Sequence, residues 1–192
     1  MRIPARIANM SKIHTHLMAA LCIAALNSAA QAEASTSDGF YMQYGVSRDK
    51  ADAYTVGFVT PMKWTRTFLD TKATGYWDFY GMFSVAPNNQ GSSYKTWMAG
   101  VTPTLRLRLQ EGRSNWFVEG GIGVSYSDVP YRTNSKKFST RFNFADHVGV
   151  GYSFGPQRNQ EVVLRVQHFS NGGIENPNPG ENFLQLRYVH TF

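Results

Sequence analysis

The chain has 192 residues, of which 42% are hydrophobic and 14% aromatic, and its formal net charge is +6. That length suits one domain. The single cysteine, Cys22, excludes a disulfide framework, and no basic stripe of the kind that binds nucleic acid is present.

Residues 1–32 read as a secretory signal peptide, ahead of a single domain at 33–192. Arg2, Arg6 and Lys12 precede the apolar run "LMAALCIAAL" (17–26), and Ala30 and Ala32 occupy the small-residue cleavage positions. The run is too short to span a bilayer as a helix. Leu21 before Cys22 does not suit a lipoprotein cleavage site. Removing the leader takes away three basic residues and no acidic ones, leaving a cysteine-free chain of net charge +3.

From residue 38 onward the recurring period is two. The segment "WMAGVTPTLRLRLQ" alternates over 14 residues, with Trp97, Ala99, Val101, Leu105 and Leu107 on one face and Thr102, Thr104, Arg106 and Arg108 on the other. Strands of soluble proteins average ~5–6 residues, so this one suits a tilted membrane strand. The same pattern predicts eight strands, at about 38–46, 53–60, 72–86, 94–110, 115–127, 141–154, 160–170 and 182–192. Short polar turns at 110–115 and 155–160 contrast with longer loops at 86–94, 128–137 and 171–181. That asymmetry fits short periplasmic turns and longer outer loops. The segment "VTPMKWTRTF" (59–68) fits poorly as a turn. A terminal aromatic, Phe192, closes the last strand. The fold class predicted is all-β: an eight-stranded antiparallel outer-membrane barrel. Its inward parity carries Asp78, Arg106, Arg108, Glu119, Arg165 and Arg187, which would fill so narrow a lumen with ion pairs and leave no pore.

In "VVLRVQHFSNGG", Val162, Leu164 and Val166 have lipid-facing parity, and His168 and Ser170 continue it. A histidine within reach of a serine can act as its base. Asn171 offers an amide donor, and the Gly172-Gly173 pair lets a backbone N–H face a reacting carbonyl. If the N-terminus starts on the periplasmic side, this strand runs outward and the group lies near the outer leaflet.

The stretch "HFSNGGIENPNPG" resembles the signature of the lipid A 3-O-deacylase (PagL) family. "TGYWD" (74–78), "FVEGGIGV" (117–124) and "FNFADHVGVG" (142–151) resemble family segments in the same order. The resemblance implies an outer-membrane barrel that acts on lipopolysaccharide. It would hydrolyse the ester-linked 3-hydroxyacyl chain at position 3 of lipid A, with no metal or other cofactor. Carried over, His168 is the base, Ser170 the nucleophile, and the Asn171 side chain with the Gly173 N–H the oxyanion donors. The family's orienting glutamate falls on Asn182, preceded by Glu181. Parity favours Asn182, and a bulge could turn Glu181 outward. Asp146 has outward parity and is either a neighbour of the site or a partner of the loops. His147 faces inward and His190 lies near the periplasmic end, so neither is given a role. The sequence leaves three alternatives open: a non-catalytic adhesin or structural barrel, a different lipid hydrolase or acyltransferase, and pairing as a homodimer in the outer membrane.

Overall fold

The computed structural model describes residues 37–192, so the expected signal peptide at 1–32 falls outside the described residues. Eight antiparallel strands follow in chain order: β1 (Gly39–Ser47), β2 (Asp52–Phe68), β3 (Thr71–Pro87), β4 (Ser93–Leu109), β5 (Trp116–Ser127), β6 (Phe142–Phe154), β7 (Gln160–Ser170) and β8 (Glu181–Thr191). Each pairs with the next, and β8 returns to β1 to close the barrel. Closure leaves no unpaired sheet edge, which a hydrocarbon surround demands. Seven of the eight match the predicted strands to within two residues at each end. The exception is β2, which runs on through the poorly fitting 59–68 segment to Phe68. Its register with β3 shifts between Pro61 and Thr65. This bulge adds residues against Gly75 and breaks the alternation that periodicity depends on.

Outward side chains form an apolar belt that includes Met42, Val56, Ile122, Val148, Leu164, Val166 and Leu184. Aromatic pairs ring both ends. Phe40–Phe192 and Trp116–Tyr152 lie at the end that holds the termini, and Tyr44–Tyr54 and Phe83–Trp97 lie at the other. Such girdles mark the two membrane interfaces.

Charged side chains cross the lumen. Arg165 donates to Glu119 at 2.6 Å and pairs with Asp78 at 3.3 Å, and Arg187 pairs with Asp78 at 2.9 Å. Arg106 bridges Glu119 and Glu161, and Tyr41 and Tyr76 donate to Asp78 and Glu119. Five of the six predicted inward residues thus share one ion-pair network, and Arg108 joins it through Glu161 at 3.5 Å, the kind of pairing that buried charges require. Above them, the β5–β6 connection folds back into the outer mouth. Its Tyr131 and Phe138 are buried against Phe169, Phe183, Met82 and Met98. The Lys136 ammonium in this loop reaches Glu181 at 2.9 Å and Asp49 at 3.6 Å. Asp49 loses some solvation there, but hydrogen bonds from Ser135 and Thr133 and the charge of Lys136 outweigh that loss and hold its carboxyl below the usual range.

Candidate active site

The last two turns of the pleat in β7 carry the site. His168 and Ser170 share the outward face with Val162, Leu164 and Val166, while Val163, Arg165, Gln167 and Phe169 are buried inside. Strand pairing places His168 between two residues in one cross-strand row: Asn182 on β8 and Asp146 on β6. Ser170 lies opposite Phe144.

The Asn182 Oδ1 and His168 Nδ1 atoms are 2.8 Å apart. With the amide oxygen facing the ring, Nδ1 carries the proton and Nε2 is left as an acceptor. Glu181, the alternative partner for His168, points the other way. It is buried in the mouth of the barrel, takes the Lys136 ammonium on Oε1, and accepts the Tyr131 hydroxyl at 3.3 Å on Oε2. No bulge turns it outward, because β7 and β8 keep regular register through Phe169 and Glu181. Glu181 does fasten its neighbour, since its Oε1 accepts the Asn182 backbone N–H at 3.0 Å.

Asp146 is half-buried on the outer wall, and its Oδ1 has no hydrogen-bond partner. That is costly on a lipid-facing strand unless a cation shares the site. It does not bond to the loops, and its neighbour in the row is His168. His147 faces the lumen, within 3.4 Å of Thr104, and His190 is exposed near the periplasmic end.

The two expected oxyanion donors are engaged within the loop. Asn171 is fully buried. Its Nδ2 donates to Ser139 Oγ at 2.9 Å and to the Glu175 carbonyl at 2.7 Å, and its Oδ1 accepts the Gly173 N–H at 2.9 Å. The pair is therefore beside Ser170 in the chain, but it organises the 171–180 loop instead of standing open. Their donor chemistry is legible in the sequence, but the arrival of Ser139 from another loop is not.

Gly180 was not singled out from the sequence. Its φ is +61°, and a Cβ there would lie 2.9 Å from His168 Cε1. A glycine at this point lets the chain turn in the left-handed region and lets the imidazole lie against the backbone. The "PNPG" ending of the motif was the available signal.

From His168 and Asp146 an open groove of about 800 Å³ runs over the outer wall, past Val166, Val148, Ile122 and Leu105. Its floor is low at Gly120 on β5. Among the described residues, no group of three His, Cys, Asp or Glu side chains is arranged to hold a metal ion.

Fold and site together define an outer-membrane barrel with candidate hydrolytic residues on its lipid-facing wall. The family model for lipid A 3-O-deacylase (PagL) matches residues 52–191, and the chain belongs to that family. The lipid A deacylase PagL of Bordetella bronchiseptica is 30% identical over 168 residues, which cover 82% of this chain and 85% of that protein. Its counterpart in Pseudomonas aeruginosa is 27% identical over 176 residues, covering 90% and 93%. The crystal structure of the outer membrane enzyme PagL shares the fold, with a TM-score of 0.68 at 22% identity over 81% of this chain and 100% of that one.

Proposed function

We propose that the protein is an outer-membrane serine esterase that removes the ester-linked 3-hydroxyacyl chain at position 3 of lipid A. The observation that carries this reading is the His168–Asn182 contact at 2.8 Å, on the same outward face as Ser170 and at the head of an apolar groove. An ester hydrolase needs a nucleophile, a base held in the right tautomer, and a place for the acyl chain. All three lie where an outer-leaflet lipid would present its ester.

In this mechanism His168 Nε2 takes the Ser170 hydroxyl proton as Oγ attacks the ester carbonyl. Negative charge collects on the former carbonyl oxygen. The Asn171 amide and the Gly173 N–H reach it once they exchange their loop partners for it, and the exposed Glu175 carbonyl released in this way can be hydrated. The imidazolium returns its proton to the sugar oxygen as the ester C–O bond breaks. Water then cleaves the acyl-enzyme by the same steps, releasing the 3-hydroxy fatty acid and restoring Ser170. Asn182 orients the ring but bears no charge. Asp146, on the other side of His168, supplies a carboxylate for the imidazolium.

The test is mass spectrometry of lipid A from cells that express the protein. Loss of one 3-hydroxyacyl chain is expected with the native chain and not with Ser170→Ala or His168→Ala. Loss that persists in either variant sinks the mechanism. Lipid A left unchanged by the native chain would favour a non-catalytic barrel.

A further inference from the structure

The groove that begins at His168 has a far end, and the β2 bulge builds it. Val166, Val148, Gly120, Leu105 and Gly75 are successive register partners on β7, β6, β5, β4 and β3. This row spans four strand spacings, about 19 Å. It also descends. Val166 lies four residues below the outer end of β7 at Ser170, Gly120 seven below Ser127, and Gly75 twelve below Pro87. The stagger of a closed barrel causes this tilt. An acyl chain whose ester sits at His168 and whose tail points into the bilayer would follow the same line.

Two positions in the row lack side chains, and they differ. A Cβ on Gly120 would meet only the His147 carbonyl oxygen, at 3.4 Å, so the groove there is open. A Cβ on Gly75 would lie 2.7 Å from the Trp64 ring and 2.8 Å from Met62 Sδ. The extra residues of the bulge lay these two side chains over Gly75, where Trp64 Nε1 also donates to Met62 Sδ at 3.4 Å. Met62 and Trp64 line the groove at the end opposite His168. A regular strand would present one outward residue opposite Gly75, too little to build such a wall.

We propose that the β2 bulge is an acyl-length gauge: Met62 and Trp64 stop the groove and set the longest fatty acyl chain that can be cleaved with its ester at Ser170. This rests on the esterase reading above and adds which residues select the substrate. The occupant is a fatty acyl chain, since the groove is lined mostly by apolar side chains and is continuous with the site.

The experiment uses the purified full barrel in micelles with synthetic 3-hydroxyacyl esters of increasing chain length. Trp64→Ala lengthens the groove, and the ratio of long-chain to short-chain cleavage rises about tenfold. Gly120→Leu blocks the groove midway, and the same ratio falls by a similar factor. Trp64→Leu serves if the alanine variant does not give a folded, heat-modifiable barrel. Folded, Ser170-dependent variants that keep the wild-type length ratio overturn the gauge and leave the esterase standing. Cleavage that survives Ser170→Ala, or no cleavage of any ester, overturns the esterase reading and the gauge with it.

Discussion

Asn182→Asp should make the protein a faster esterase. Asn182 Oδ1 lies 2.8 Å from His168 Nδ1, so an aspartate fits the same place with no change of shape. Two effects follow. An amide can face the ring with oxygen or nitrogen, and the second orientation would leave the proton on Nε2, where it blocks the base. A carboxylate has only acceptors and holds a single tautomer. It also gains a full charge against the imidazolium that forms in the transition state. Two unit charges ~4 Å apart interact by about 1 kcal/mol in water and about 4 kcal/mol at the effective dielectric of a protein surface. Asn182 is exposed, so solvent screening keeps the gain near the lower bound, at about 1–2 kcal/mol. That corresponds to a rise in kcat/KM of roughly 5- to 30-fold. Asn182→Ala, which removes the anchor, should slow the reaction. The assay is release of 3-hydroxy fatty acid from lipid A micelles, followed by mass spectrometry at several pH values. Equal rates for the native protein, the aspartate variant and the alanine variant would refute the orienting role.

Gly180→Ala should leave the barrel folded and impair catalysis, because the new methyl would sit 2.9 Å from His168 Cε1 at a φ of +61°. A ring displaced by about 1 Å can cost ~100-fold, which a comparison of kcat with thermal stability would separate from unfolding. Arg165→Ala should act in the opposite way. It leaves Glu119 with Arg106 and Asp78 with Arg187, but the buried network one positive charge short, and should destabilise the barrel by about 3 kcal/mol, read by urea titration in lipid. Arg165→Met combined with Glu119→Gln should lose less, since the charge balance of the network is kept.

The barrel was legible because period-two alternation survives in seven strands, and closure demands nothing beyond alternation and turns. The residue that meets His168 was legible for the same reason. Parity alone turns Asn182 toward His168 and Glu181 toward the lumen, and the regular β7–β8 register realises that choice. Periodicity failed at 61–68, where extra residues against Gly75 shift the register and disguise half of β2 as a poor turn. It also could not reveal that Asn171 is held by Ser139 and Glu175, or that Lys136 ties the mouth loop to Glu181. Those contacts join segments far apart in the chain.

What the sequence determined by itself was local: the face each side chain takes along its own strand, and the chemistry of the "HFSNGG" stretch. Tertiary structure decided what lies beside that chemistry. A row from Val166 to Gly75 exists only once four strand registers are fixed and staggered around a closed barrel. Register between strands depends on loop lengths, bulges and packing across the lumen, and none of these leaves a mark in the periodicity of a single strand.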